Sequence, residues 1–386
     1  MAKIIMPYST IGIIGGGQLA RMMCLAAKAM GYFTAVLDPT LNCPAGQVSD
    51  IEITAEYGDM NAIKELAELC DIITYEFENI DYNALKYLEE NSYLPQGSEV
   101  LKTTQHRYSE KSAIKELGIP VTDFYLIDSM ESLEKHFFFP SVLKTTTLGY
   151  DGKGQLVIKS LDDFNAAKSL AEKQECIFEK WIPFDMEISV ITARSTTGET
   201  AFFPAAENIH VNNILHKSIV PARIPASLEE KARSYALKIT EALNVYGVMG
   251  VEMFVLGEEI YINELAPRPH NSGHYTIDAC KTSQFEQHIR AVCGLPLGDV
   301  SLHSPVVMVN ILGEHMQHGS LSNDAGNEAG GKFNLEPYLP LLKNGKLHLY
   351  GKEEARKIRK MGHINMLGDI EKSLDIIEKS KIWKMP

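Results

Sequence analysis

Long apolar runs are missing from this chain. No stretch of about 18 uninterrupted hydrophobic residues occurs, so no membrane-spanning helix is expected. A signal peptide is not expected either, since Pro7, Ser9 and Thr10 break the first apolar stretch and Arg21 and Lys28 punctuate the next. Paired cysteines are also missing. The six present (Cys24, Cys43, Cys70, Cys176, Cys280 and Cys293) form no CxxC pair and sit mostly among apolar residues. That pattern argues against a disulfide framework and for buried thiols in a cytoplasmic protein. Positive charge is scarce, with 37 Lys and Arg against 50 Asp and Glu, a net charge of −13. Such a field repels phosphate backbones and anionic lipid, so neither a nucleic acid nor a membrane is an expected partner. Any anionic ligand must be met by a local basic cluster. What remains is ordinary for a globular protein: 386 residues, 45% hydrophobic and 23% charged, enough for two or three domains.

The first hundred residues alternate strand and helix patterns. Residues 11–14 form an apolar run ending in Gly15-Gly16-Gly17, after which Leu19, Met22, Met23, Ala26, Ala27 and Met30 recur at helical spacing up to Gly31. A strand pattern at 34–37 ends on Asp38, and another at 72–75 leads into Glu76. This alternation predicts parallel βαβ units in an open α/β sheet over residues 1–105. Residues 106–183 read as a small α+β module, two helices on a four-stranded sheet, with strands at 121–127, 140–144, 155–158 and 176–180. From 184 to 386 the pattern is mainly antiparallel: alternation at 186–192, an amphipathic helix at 228–243, a hairpin of 248–256 with 260–264, and a strand at 306–311. Between Lys343 and Lys360 seven basic residues stand against only Glu353 and Glu354, a basic segment in an acidic chain.

Gly15-x-Gly17-x-x-Ala20 follows a strand, opens a helix and is followed by Asp38 at the end of the next strand, as in the dinucleotide-binding fingerprint. The turn predicts an anion site; a nicotinamide dinucleotide, another phosphate and an empty tight turn all remain open. Glu252 and Glu264 say more. A three-residue loop at Gly257-Glu258-Glu259 would set them opposite each other in a hairpin. Like charges so placed, beside Val251, Met253, Ile262 and Leu265, are costly. A Mg²⁺ ion with substrate phosphates would remove that cost; an exposed pair of glutamates is the plainer alternative. Lys144 ends an apolar strand, where an ammonium calls for an anion. The stretch Gly149-Tyr150-Asp151-Gly152-Lys153-Gly154 suits a lid whose amides cover phosphates. Glu179-Lys180-Trp181-Ile182 is a strand end that would present backbone groups to an adenine, with Glu187 beyond it for ribose hydroxyls; an ordinary interdomain strand is the alternative. Residues 263–274 crowd Arg268, His270, Asn271, Ser272 and His274 into a loop stiffened by Pro267 and Pro269. No zinc spacing and no nucleophile elbow is present.

Six motifs in order carry a resemblance over most of the chain: Gly15-Gly-Gly-Gln-Leu-Ala-Arg-Met22, Thr74-Tyr-Glu-Phe-Glu-Asn79, Leu148-Gly-Tyr-Asp-Gly-Lys-Gly-Gln155, Glu179-Lys-Trp-Ile-Pro183, Asn263-Glu-Leu-Ala-Pro-Arg-Pro-His-Asn-Ser-Gly-His274 and Gly362-His-Ile-Asn365. The chain resembles the ATP-grasp superfamily, and within it the N5-carboxyaminoimidazole ribonucleotide synthetases of purine biosynthesis. The resemblance implies three domains: an α/β substrate domain (1–105), a small lid (106–183) and a larger, mainly antiparallel domain (184–386), with ATP between the last two. It implies that Arg107, Lys144 and the loop from Gly149 through Gln155 contact ATP phosphates, that Glu179, Lys180, Trp181 and Ile182 hold adenine, and Glu187 the ribose. His210 and Asn263 would lie on the nucleotide side, with one or two Mg²⁺ ions on Glu252 and Glu264. Gly17, Gln18, Leu19, Glu76, Asn271 and Ser272 would hold the ribonucleotide, and Lys352, Arg359 and Lys360 its 5′-phosphate. Tyr150, Lys153, Glu76, Arg268 and His270 would form the carboxylation pocket, Glu76 orienting or deprotonating the amine. The implied reaction joins bicarbonate to the exocyclic amine of aminoimidazole ribonucleotide through carboxyphosphate, in a cytoplasmic homodimer.

Two positions depart from the pattern: Lys153 stands where arginine is common, and Thr145-Thr146-Thr147 replaces a more basic stretch. A formate-dependent glycinamide ribonucleotide transformylase or a biotin carboxylase-like enzyme would share the ATP half. An NAD-dependent oxidoreductase and a non-catalytic nucleotide-binding regulator are the alternatives outside that class.

Overall fold

The computed structural model describes residues 3–147, 149, 154–316 and 333–383, and among these three sheets organise the chain. The first holds β1 (Thr10–Ile14), β2 (Phe33–Asp38), β3 (Ile51–Thr54) and β4 (Ile72–Tyr75), all parallel in the order β3-β2-β1-β4. Its strands are near-continuous apolar runs because both faces are covered. Ile11 and Ile13 pack with Leu19, Met22, Met23 and Ala27 of the helix Gln18–Ala29, while Ile14 and Leu37 pack with Ile63 and Leu85 on the other side. Chain direction along the sheet reverses between β1 and β4, so a crevice opens beyond their carboxyl ends, at Gly15 and Glu76.

The second sheet is the expected small module, with β5 (Phe124–Ile127), β6 (Ser141–Thr145), β7 (Gln155–Ile158) and β8 (Cys176–Lys180) antiparallel in the order β5-β8-β6-β7. The helices Met130–His136 and Phe164–Ala171 cover one face, over Leu143, Ile158 and Phe178. β6 alternates cleanly: Leu143 is buried in that core, while Val142 and Lys144 turn to the opposite, partly open face. The strand expected from 121 starts only at Phe124, because Val121 bridges instead to Ile262 of the third sheet.

That third sheet is antiparallel throughout, as the alternation predicts. It contains β9 (Met186–Arg194), β10 (Thr200–Phe202), β11 (Ala206–Val211), β12 (Ile214–Val220), β13 (Gly247–Leu256), β14 (Glu259–Ala266), β15 (Val306–Leu312), β16 (Gly345–Leu349) and β17 (Lys360–Leu367), with β14 at one edge, paired to β13. No helix among the described residues is long and apolar enough to cross a membrane.

The first and third sheets share a core. Phe285, Ile289 and Val292 of the helix Gln284–Val292 pack into the cluster built on Ile11, Ile13 and Met23. His288, fully buried in the same helix, ties the two together by hydrogen bonds. Its Nδ1 accepts from the Val248 amide of β13 at 3.1 Å, so the ring proton sits on Nε2, 2.8 Å from Thr74 Oγ1 of β4. Thr74 in turn donates to Gln96, whose Nε2 reaches the Pro267 carbonyl at 3.3 Å. Burial drives the His288 pKa down to about 3. An unfolded imidazole takes up a proton below about pH 6.5, whereas this one stays neutral, so stability is lost as pH falls from about 6.5 toward 3. At pH 5 the loss from this residue is about 2 kcal/mol. Urea unfolding at pH 7 and pH 5 should therefore show a drop about 2 kcal/mol smaller in His288→Gln than in the unchanged chain; equal drops would remove His288 from this role.

Candidate active site

A cavity of about 600 Å³ lies where the three sheets meet. The first sheet contributes Gln18, Leu19, Glu76 and Glu78, the second Val142, Lys144, Gln155 and Val157, and the third Glu187, His210, Glu252, Phe254 and Glu264. Arg107, Gly149, Trp181, Asn263, Arg268, His270, Asn271 and Lys360 complete the expected residues that face it.

Glu252 and Glu264 do stand opposite one another in the β13–β14 ladder. The route differs from the expected three-residue loop. Leu256 pairs with Glu259 across a two-residue turn whose Gly257 is left-handed (φ +58°), and a β-bulge between Glu252 and Met253 then shifts the register. Without the bulge Glu252 would face Asn263. Among the described residues each carboxylate has one partner: Arg107 Nη1 lies 3.0 Å from Glu264 Oε2, and His270 Nε2 lies 3.2 Å from Glu252 Oε1. The Ser272 amide donates to His270 Nδ1, so Nε2 carries the ring proton toward Glu252. Burial, then the neighbouring Glu264, push the Glu252 pKa up to about 7. Burial acts the same way on Glu264, but Arg107 outweighs it and holds that carboxyl below its usual range. All-oxygen donors on an under-compensated pair suit Mg²⁺. Six carboxylates line the cavity against four Lys and Arg, so a polyphosphate would enter most favourably with a divalent cation.

On the side of the second sheet, Lys144 Nζ is met by Glu179 Oε2 at 3.0 Å, so the anion at this strand end is supplied by the protein. The carboxylate of Glu179 is buried, and neither it nor Lys180 nor Ile182 lines the cavity; of the expected adenine segment only Trp181 does. Lys180 spends its backbone groups on Asp123 and Thr122. Arg107 Nη2 donates to the Gly149 carbonyl at 3.0 Å, linking the glycine stretch to the carboxylate pair. Gly154 lies behind, against Thr145. Tyr150, Asp151, Gly152 and Lys153 lie outside the described residues. Glu187 Oε2 sits 3.0 Å from His210 Nδ1; burial opposes charging of the imidazole, Glu187 outweighs it, and the His210 pKa is raised.

The glycine turn binds an anion, but that anion is Glu76. The amides of Gly17 and Ala20, at the N-terminus of the helix Gln18–Ala29, donate to its two carboxylate oxygens. A Cβ at Gly15 would lie 2.5 Å from Glu76 Cγ and one at Gly17 2.5 Å from Glu76 Oε1, so the glycines make room for this side chain. Asp38, the expected ribose acid of a dinucleotide site, accepts instead from the Gly16 amide and the Tyr57 hydroxyl. Gly17 is thus no direct ligand for phosphate, and the nicotinamide-dinucleotide reading loses its donors. Burial raises the Glu76 pKa against the two amides.

From the third sheet, Arg268 is paired with Glu78 at 2.6 Å. Both polar atoms of the Asn271 side chain face the cavity region buried and without a hydrogen-bond partner among the described residues. Ser272 is fully buried behind it, bonded to Ser189 and His270. Lys360 lines the cavity, whereas Lys352 donates to the Lys360 carbonyl at 2.8 Å and Arg359 to the Glu354 carbonyl at 3.2 Å, both off the cavity wall.

Several site residues have no place in the motif reading. Phe184 and Phe254 stack at 4.5 Å and 5° and line the cavity; Phe254 sits two positions beyond Glu252 on its strand, so period-2 alternation marks it. Glu110 and Lys111 are buried beneath the carboxylate pair. With Arg107 and Ile114 they form an i, i+3, i+4, i+7 face on the helix Arg107–Glu116, and three charges on such a face are the available signal.

Residues 8–105 match the ribonucleotide synthetase preATP-grasp domain, 112–285 the ATP-grasp domain, and 306–376 the phosphoribosylaminoimidazole carboxylase C-terminal domain. The chain is 52% identical over 369 residues to N5-carboxyaminoimidazole ribonucleotide synthase of Bacillus subtilis, covering 95% of this chain and 93% of that one. It is 44% identical to the Brucella melitensis protein of the same name, covering 94% and 97%. An ADP complex of an N5-carboxyaminoimidazole ribonucleotide synthetase superposes with a TM-score of 0.93 at 56% identity over 99% of both chains. The Aspergillus clavatus enzyme, solved with ADP and 5-aminoimidazole ribonucleotide, gives 0.85 at 30% identity over 96% and 97%. Fold, carboxylate hairpin and relatives agree: the chain belongs to the N5-carboxyaminoimidazole ribonucleotide synthase family of ATP-grasp ligases.

Proposed function

We propose that this cavity uses ATP and bicarbonate to carboxylate the exocyclic amine of 5-aminoimidazole ribonucleotide, giving N5-carboxyaminoimidazole ribonucleotide, ADP and phosphate. The observation that carries the reading is the opposed Glu252–Glu264 pair within one cavity with Arg107 and Lys144. Val142, Val157, Trp181, Phe184 and Phe254 give the apolar wall that a purine base needs, and Glu187 is the acceptor for ribose hydroxyls. Arg107 and Lys144 are the cations for the phosphate chain. Mg²⁺ bound at Glu252 and Glu264 would neutralise the charge that develops on the transferred phosphoryl group. Bicarbonate oxygen attacks the γ-phosphorus, releasing ADP and forming carboxyphosphate. The amine nitrogen then takes the carboxyl group, as carboxyphosphate or as CO₂ released from it, and phosphate leaves.

Glu76 is the group for that amine. Its oxygens each accept one backbone amide and retain lone pairs toward an N–H donor on the cavity side. Asn271, whose side-chain amide has no hydrogen-bond partner among the described residues, supplies donor and acceptor for the ribonucleotide, and Lys360 the positive charge for its 5′-phosphate. The Tyr150 to Lys153 loop is assigned to closure over carboxyphosphate, which water would otherwise hydrolyse. A cytoplasmic setting fits six thiols of which five are buried. A homodimer is part of the same reading, and the exposed Met6, Tyr8 and Phe33, on segments joined by the Tyr8–Gly31 and Phe33–Ser9 hydrogen bonds, offer an apolar face for it. Sedimentation should give a dimer that Tyr8→Glu converts to monomer; a monomer for the unchanged chain would remove this assignment.

ADP release should require aminoimidazole ribonucleotide and bicarbonate together, formate should not replace bicarbonate, and NADH fluorescence should not respond to the protein. Formate-supported turnover would point to the transformylase class, and ATP binding without acceptor-stimulated turnover to a regulator. Glu264→Ala should fold normally by circular dichroism and lose at least about 100-fold in ADP formation. Near-normal activity in that variant would take Glu264 out of the metal role.

A further inference from the structure

The register that opposes Glu252 to Glu264 depends on one inserted residue. Met253 faces Ile262 and Glu252 faces Glu264, so Asn263 is the extra residue of the bulge. Removing the insertion would slip the ladder and send Glu264 to the other face of the sheet. A bulge leaves backbone groups unpaired, and β14 is an edge strand, so no further strand among the described residues answers them. One segment does. The Leu265 amide donates to Glu110 Oε2 at 3.3 Å, the Asn263 carbonyl accepts from Lys111 Nζ at 3.0 Å, and the Ile262 amide donates to the Pro120 carbonyl at 2.9 Å.

Lys111 is the unusual member. Its side chain is 2% exposed, its ammonium lies 3.4 Å from Glu179, and it does not line the cavity. A buried ammonium costs several kcal/mol unless it is fully paired; a fold that needed only packing here would carry leucine or methionine. We propose that Lys111 is a positioning residue for the metal-binding carboxylates: it grips the Asn263 carbonyl of the bulge from outside the cavity and, with Glu110 on the Leu265 amide, holds Glu264 in register with Glu252. Through Glu179 the same ammonium fixes the bulge against β8. The proposal deepens the metal role given above to Glu252 and Glu264 and rests on it.

The test is equilibrium binding of ADP by calorimetry, with saturating Mg²⁺ and with EDTA, to the unchanged protein and to Lys111→Met, Lys111→Arg and Glu264→Gln. Mg²⁺ should tighten ADP binding to the unchanged protein, and Lys111→Met should lose about 10-fold of that tightening, read as the ratio of its affinities with Mg²⁺ and with EDTA, so that any weakening through Glu179 and Lys144, common to both conditions, cancels. Lys111→Arg, which still reaches the Asn263 carbonyl, should recover most of that tightening. Should Lys111→Met fail to fold, Glu110→Leu, which strips the acceptor from the Leu265 amide, carries the same expectation. A normal Mg²⁺ effect in the folded Met or Leu variant, or a loss of equal size in EDTA, would overturn the proposal. Loss of the Mg²⁺ effect in Glu264→Gln alone would leave the metal role standing and sink only the role of Lys111; a normal effect in Glu264→Gln would sink the metal role itself.

Discussion

Two carboxylates side by side on a β-ladder repel, and the rest of the site is arranged around that repulsion. Unit charges about 4 Å apart at an effective dielectric of 20 cost about 4 kcal/mol, a large part of the net stability of a typical domain. The protein meets this unevenly. Arg107 compensates Glu264, whereas among the described residues Glu252 is paired with the Nε2–H of a neutral imidazole, because burial and Arg268 keep His270 uncharged. One acid is therefore held ionised and the other stays near neutrality in its titration. A divalent cation held by the pair would find one carboxylate already ionised and would displace at most a partly bound proton from the other.

The pair is useful only because other elements are brought to it. The crevice at the reversal point of the first sheet and the open face of the second sheet both end in the same cavity. What keeps the first sheet in place is a continuous apolar core with the helix Gln284–Val292 and the polar chain from Val248 through His288, Thr74 and Gln96 to Pro267. Pro267 begins the loop that carries Arg268, His270 and Asn271. Glu76 follows Thr74 by two residues, so Glu76 and the loop of Arg268, His270 and Asn271 hang from the two ends of one hydrogen-bonded chain.

Much of the fold was legible because its signals are local. The apolar runs of β1, β2 and β4, the alternation of β9 and β13, and the helical spacing after Gly17 each report the burial of a few adjacent residues. The opposition of Glu252 and Glu264 was legible too, though through the wrong turn: a two-residue loop plus a bulge gives the same pairing as a three-residue loop. Spacing alone does not distinguish them, since a bulge is decided by what meets its spare backbone groups, here residues about 150 positions earlier. The same limit explains Glu179 and Gly17. Each sits in a motif that suits a ligand, and each is occupied by a side chain from elsewhere in the chain: Lys144 and Lys111 on Glu179, Glu76 on Gly17. Sequence distance hides such partners even where the local geometry is right.

The double pairing of Glu179 has a consequence for how a polyphosphate enters. Lys144 lines the cavity and is partly exposed, whereas Lys111 is sealed behind it. If Lys144 were the sole partner of Glu179, turning toward a phosphate would strand a buried carboxylate, at a cost of several kcal/mol. With Lys111 3.4 Å away on the inner side, Glu179 keeps a cation whichever way Lys144 turns. Glu179 is buried with one oxygen lacking a hydrogen bond among the described residues, so it has room to tighten on Lys111 if Lys144 leaves. Lys144 is thus placed as an exchangeable partner of Glu179 and Lys111 as a fixed one, and of the two it is Lys111 that also bonds the Asn263 carbonyl.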